Sequence, residues 1–187
     1  MSFLFEDKPF EEITWLKELL PQETELDKTR LMKLAIDISI YSAKHGGGPF
    51  GAVIANELGH ILECGCNEVI HKHDSTAHAE IVTIKRAQKR FKTHDLSTLC
   101  NTPIFLYSSC TPCIQCFGAI YWSGISRVFA AALNEDAINL GFNEGHVSKE
   151  NYEMAKRCKG IEYHLGFLRD EAIRAFVEYK ENSGPIY

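Results

Sequence analysis

The sequence predicts an α/β fold in which one sheet is covered by helices on both faces. Three observations carry this. Apolar residues recur at three- and four-residue steps in several long segments, the mark of helices with one buried face. Between those segments lie short apolar runs bounded by glycine, proline or asparagine, the mark of strands. The order is helix, two strands, helix, strand, helix, strand, then helix and strand, and 187 residues suit a single domain.

Residues 1–26 read as a leader ahead of a domain spanning 27–187. Within it Phe10 to Leu20 has a weak helical pattern ended by Pro21. Asp27 to Lys44 is an amphipathic helix: Leu31, Leu34, Ala35, Ile38 and Tyr41 share a face, and Asp27 caps the start. His45-Gly46-Gly47-Gly48-Pro49 ends it, because three glycines and a proline cannot continue a helix. Phe50 to Ala55 and Ile61 to Cys66 form a hairpin turned at Gly59-His60.

Asn67 to Ser75 is a polar loop, and Ser75 or Thr76 is expected to cap a helix running to Phe91. Pro103 to Tyr107 is a strand. A helix starts near Pro112, a residue that suits a first turn, and runs to Trp122, where Gly124 stops it. Arg127 to Ala132 is a strand, Asn134 to Leu140 a short helix, and Gly141 to Gly145 a turn. Glu150 to Cys158 is helical, Ile161 to His164 a short strand, and Arg169 to Lys180 a terminal amphipathic helix before an extended tail.

Composition excludes several classes. No apolar run approaches the ~18 residues of a membrane span, and the first residues lack the basic start and apolar stretch of a signal peptide. A cytoplasmic location is expected. Seven cysteines, three of them within seven residues, point to thiolates and metal rather than a disulfide framework. Net charge is −5, which disfavours a protein built to grip phosphates.

The chemistry concentrates in Thr76-Ala77-His78-Ala79-Glu80 and Thr111-Pro112-Cys113-Ile114-Gln115-Cys116. His78, Cys113 and Cys116 supply three ligands, the number zinc takes from a protein when a fourth position is left for water. Thiolate and imidazole ligation favours zinc over neighbouring metals. Two cysteines three apart in a first helical turn point at one metal, and the helix N-terminus stabilises their thiolates. Glu80, two residues past His78, projects to another side of its helix, so it suits proton transfer beside the metal better than ligation. His-x-Glu followed by Pro-Cys-x-x-Cys is the signature of zinc deaminases acting on nucleobases. The rival readings are a structural zinc knuckle and an iron–sulfur run begun by Cys110. No cysteine follows Cys116 until Cys158, and a structural site needs no general base. Cys64, Cys66, Cys100 and Cys158 read as small hydrophobes.

Further motifs occur in order: Gly47-Gly48-Pro49-Phe50-Gly51-Ala52-Val53-Ile54, then Asn67, then Ala77-His78-Ala79-Glu80, then Cys110-x-Pro112-Cys113-x-x-Cys116, Gly118-Ala119-Ile120-Tyr121-Trp122 and Gly141-Phe142-x-Glu144. Together they resemble the guanine deaminases of the cytidine-deaminase-like fold, of the bacterial and plant type. The resemblance implies a three-layer α/β/α sandwich with a five-stranded mixed sheet, and one Zn2+ per subunit. It implies hydrolysis of guanine to xanthine and ammonia. It implies a homodimer in which residues 169–187 of one subunit help close the other's active site, an exchange that an ordinary helix on its own subunit would replace. By position it makes Asn67 a hydrogen-bonding partner of the purine, and Phe50 and Trp122 aromatic walls, although each also suits a core. Ala79 and Tyr187 join the substrate contacts. Glu144 becomes a second catalytic carboxylate on the polar edge of guanine, where a solvated turn acid is the alternative. Asn143 stands where this family commonly has Asp.

The competing enzyme reading is a tRNA adenosine deaminase, which shares the metal motif and would use the basic cluster Ile84-Lys85-Arg86-Ala87-Gln88-Lys89-Arg90-Phe91-Lys92 on RNA. Cytosine, cytidine or an aminotriazine are further candidate substrates.

Overall fold

A computed structural model describes residues 19–99 and 101–187. The expected Phe10 to Leu20 helix therefore falls almost wholly outside the described residues, as does Cys100. Five strands form one mixed sheet: β1 (Gly51–Asn56), β2 (Ile61–Cys66), β3 (Ile104–Cys110), β4 (Arg127–Ala132) and β5 (Glu162–Leu165). Their order is β2-β1-β3-β4-β5. β1 runs antiparallel to β2 and β3, and β3, β4 and β5 run parallel. The helices are α1 (Lys28–Lys44), α2 (Val69–Lys72), α3 (Ala79–Phe91), α4 (Ile114–Trp122), α5 (Asn134–Leu140), α6 (Lys149–Lys159) and α7 (Arg169–Glu181), with a 3-10 turn over Leu96–Thr98.

Small residues seat the helices on the sheet. A Cβ on Gly51 would meet the backbone of α1, at Ala35 O (2.4 Å) and Ser39 N (2.7 Å). A Cβ on Gly65 would meet Thr83 Oγ1 of α3 at 2.8 Å. Gly51 pairs with Cys66, and Gly65 pairs with the next residue, Ala52. Successive strand residues face opposite sides, so α1 and α3 cover opposite faces and the sandwich has three layers. The row facing α3 is Gly65, Ala52, Ser108 and Ala130, in register across four strands.

The caps explain where elements begin. Asp27 accepts the Arg30 N–H and starts α1 as the sequence predicts. Ser75 and Thr76 do not cap α3. Asp74 Oδ1 takes both the N–H and the hydroxyl of Thr76, which closes a local turn, and α3 starts after His78. The same polar loop contains the single turn α2, absent from the sequence reading. β3 extends three residues beyond the expected end at Tyr107, because Ser108 and Cys110 continue the ladder with β4. α6 starts at Lys149, one residue early, with Ser148 and Asn151 forming a reciprocal cap.

Gly124 stops α4 as expected, with φ +84°, and a Cβ there would lie 2.6 Å from Ser97 N and 2.1 Å from Asp95 Oδ1. The Leu96 N–H donates to Ser123 O beside it, so this turn docks the 3-10 segment on the end of α4. Gly124→Ala is expected to destabilise the fold by at least about 1–2 kcal/mol from the left-handed conformation alone. Thermal unfolding of the variant measures this, and an unchanged Tm would show that the turn relaxes freely.

Candidate active site

The site lies where α3 and α4 begin. His78 is the N-cap of α3 and Cys113 the N-cap of α4, with Cys116 at the third helical position. Two ligands are thus cap residues rather than members of a first turn, and extended backbone at each cap aims them across the gap between the helices. Cys113 Sγ lies 3.5 Å from His78 Nδ1. One donor atom each from His78, Cys113 and Cys116 lie within 4.8 Å of one another. A tetrahedral zinc with Zn–S near 2.3 Å and Zn–N near 2.0 Å implies an N···S edge of about 3.5 Å. The trio fits that ion, and zinc is the metal it takes. No other such group of three or more occurs among the described residues.

The electrostatics of the cluster favour thiolate. The hydrogen bond from Cys116 holds the Cys113 thiol far below its ordinary range, to about 3, with His78 adding to the effect. Glu80 is buried beside them. Burial raises its carboxyl above the usual range, and the Cys113 thiolate pushes the same way. One Glu80 oxygen accepts the Ser108 hydroxyl at 2.9 Å, and the other lies 3.3 Å from Cys116 Sγ. Glu80 therefore stands against the metal cluster without being one of its three donors.

Around this centre is a recess lined by Phe50, Asn67, Ala79, Cys110, Thr111 and Glu144 together with the metal trio and Glu80. Asn67 is buried, and its Oδ1 accepts the Val69 N–H at 3.1 Å. That bond uses one lone pair of the amide oxygen and fixes the side chain, leaving the amide N–H groups and the second lone pair for a ligand. Glu144 follows α5 on a loop tied to the start of α4, since Ile114 N–H donates to Gly145 O at 2.9 Å. Its Oε2 is 4.0 Å from His78 Nδ1. Burial raises the Glu144 carboxyl to about 7, and Cys113 adds to the rise.

Phe50 packs edge-on to Phe142 and Phe176, so it is both core and wall. Tyr187 packs edge-on to Phe142 at 5.2 Å. A Cβ on Gly48 would collide with Tyr187 Oη and touch Asn67 Cγ, so the last residue of the chain reaches the rim of the recess. In the single chain, α7 packs on α1, α5 and β4, and Tyr187 lies against Phe142 of the same chain. Trp122 is the residue that the structure does not bring in. It ends α4, nine residues beyond Cys113 and therefore about 13 Å along the axis, and it is 72% exposed. Cys110 is a buried thiol at the end of β3 and also lines the recess, whereas the sequence did not single out Thr111 or Ser108. Strand alternation carried through to Cys110 is the signal that would have found Ser108.

Residues 26–132 match the family model for the cytidine and deoxycytidylate deaminase zinc-binding region. The chain is 40% identical to guanine deaminase of Bacillus subtilis (strain 168) over 120 residues, 64% of this chain and 73% of that protein. It is 37% identical to tRNA-specific adenosine deaminase of Buchnera aphidicola subsp. Schizaphis graminum over 151 residues, 81% of this chain and 92% of that protein. The solved structure of guanine deaminase from Nitrosomonas europaea superposes with a TM-score of 0.81 at 30% identity, covering 89% of this chain and 92% of that one. The metal trio, the buried carboxylate beside it and the five-stranded sheet all lie within or around the matched region, and the chain belongs to the cytidine and deoxycytidylate deaminase zinc-binding family.

Proposed function

We propose that the protein hydrolyses guanine to xanthine and ammonia. The observation that carries this reading is the convergence on one recess of a donor, Asn67, an acceptor, Glu144, and the buried Glu80 beside the metal ligands. The similarity to two guanine deaminases supports it.

Zinc held by His78, Cys113 and Cys116 supplies a Lewis acid that makes water nucleophilic near neutral pH. Glu80 takes the proton from the attacking water on the oxygen that faces Cys116. It then returns protons to the ring nitrogen and to the departing amino group, two steps that one carboxylate performs in sequence. Burial raises the affinity of Glu80 for a proton, which suits a group that must both accept and release one. Asn67, fixed by the Val69 N–H, hydrogen-bonds the purine edge through its amide. Glu144 accepts from the N1–H and amino group of guanine. Phe50 offers a flat apolar wall to the ring.

Two features weigh against polymeric RNA as the substrate. Arg86 of the basic cluster is tied to Glu68 and Cys64 O, and Arg90 to Leu62 O and Glu63, so two of its five cations serve the fold. Tyr187 also narrows the approach to the recess. No described helix is long and apolar enough to cross a membrane. A homodimer is part of this reading. Its support is the outer face of α4, where Ile114 is 50% and Trp122 72% exposed and where a Cβ on Gly118 would meet nothing within 4 Å.

The test is ammonia release from guanine, adenine, cytosine, cytidine, an aminotriazine and an adenosine-containing tRNA, with zinc quantified. Guanine is expected to turn over fastest and cytidine to be inert. Inert guanine with reactive RNA adenosine would leave the metal chemistry standing and return Glu144 to the role of a structural acid.

A further inference from the structure

The row of sheet residues beneath the first turn of α3 is small and, with one exception, without a polar side chain. Ser108 of β3 stands between Ala52 of β1 and Ala130 of β4, both fully buried. Gly65 completes the row and lets α3 approach closely. A residue needed only to fill this row would be alanine, as it is on either side. Ser108 is instead a buried hydroxyl, 2% exposed, and it donates to Glu80 Oε1 at 2.9 Å.

That bond distinguishes the two carboxylate oxygens. Oε1 is held toward the sheet by Ser108, and Oε2 is left on the metal side, 3.3 Å from Cys116 Sγ. A glutamate side chain has three rotatable bonds, and its terminal one is broad and roughly two-fold. A fixed hydrogen bond at one oxygen removes that freedom and leaves the other aimed at the reacting water.

We propose that Ser108 is a positioning residue for the deamination: its hydroxyl fixes the Glu80 carboxylate so that one oxygen alone faces the metal cluster and carries the protons. This inference rests on the reading of Glu80 as the proton carrier.

The test compares Ser108→Ala, Ser108→Thr and Glu80→Gln with the wild-type zinc enzyme on whichever aminated ring turns over fastest. Loss of a hydrogen bond to a charged group predicts that Ser108→Ala lowers kcat by about ten- to a hundredfold. KM is expected to stay within about threefold, zinc at one per chain and Tm near wild type, because the change matches the neighbouring alanines and Ser108 does not touch the substrate. Ser108→Thr keeps the hydroxyl and is expected to recover most of kcat. In a Glu80→Gln background, Ser108→Ala is expected to cause no further loss in single-turnover rate, since the two act as one unit.

An unchanged kcat in Ser108→Ala overturns the proposal. So does an equal further loss in the double variant, or a joint loss of kcat, KM and zinc that threonine fails to rescue, since each marks a purely structural serine. Should Ser108→Ala not fold, Ser108→Cys keeps the size with a weaker donor, and an undiminished kcat there overturns it equally. Full activity in Glu80→Gln alone would remove the proton-carrier reading itself, and the role of Ser108 would fall with it. That result is distinct from a failure confined to Ser108.

Discussion

Glu80→Gln is expected to reduce turnover by about four orders of magnitude while zinc stays bound at one per chain. Positioned acid–base catalysis contributes typically about 10²–10⁴-fold. The upper end applies because the proposed cycle passes every proton through this one side chain. Glutamine keeps the shape, and its amide oxygen still accepts from Ser108, so the variant removes proton transfer and little else. Stability supplies a second readout. Burial raises the Glu80 carboxyl, which means that the folded state disfavours its charged form. For a raised carboxyl the linkage is unfavourable above the unfolded pKa, since the unfolded chain ionises more readily there. Removing the charge therefore costs the metal-free fold nothing at neutral pH, and the Tm of the chelated protein is expected to be unchanged or higher. Ammonia release, metal analysis and thermal unfolding on one preparation test all three. Turnover above about a tenth of wild type would remove Glu80 from the mechanism, and loss of zinc with activity would make it a structural residue.

The metal ligands and Glu80 were legible in the sequence because their chemistry depends on local spacing. Cys113 and Cys116 lie three residues apart, which fixes their relation within one turn of chain wherever the helix begins. His78 and Glu80 are likewise two apart, and the shift of the α3 start from Ser75 or Thr76 to His78 left their relation intact. The hairpin of β1 and β2 was legible for the same reason, with a glycine turn between two short apolar runs. Features that depend on distant partners were not. Ser108, Ser109 and Cys110 have no strong strand preference of their own, and pairing with β4 carries the strand through them. Asp74 outcompeted the expected helix cap through a turn that no periodicity reveals. Trp122 lies, within the single chain, at the end of α4 remote from the metal ligands, a placement set by where that helix begins. The Asn67 side chain is fixed by the Val69 amide, a contact legible only once α2 is known to form.

Cys113→Ala is expected to lose zinc, turnover and a metal-dependent part of stability together. His78 and Cys113 are 35 residues apart in the chain, and each begins a different helix. A shared ion therefore cross-links α3 to α4, and a ligand bound only by the folded state stabilises it by RT ln(1 + [L]/Kd). At zinc a thousandfold above Kd this is about 4 kcal/mol. For a domain of this size that corresponds to roughly 8–16 °C in Tm. Wild-type protein should lose about that much on chelation and regain it with added zinc. Cys113→Ala should melt near the chelated wild type, whatever the zinc concentration, because two remaining ligands do not make the site. Glu80→Gln, in contrast, should keep the full zinc-dependent shift while lacking turnover. The pair of variants thereby separates holding the metal from moving the proton. A Cys113→Ala protein that still bound zinc at wild-type affinity would mean that a neighbouring donor such as Cys110 or Glu144, both lining the same recess, replaces it, and the three-ligand assignment would have to be redrawn around that residue.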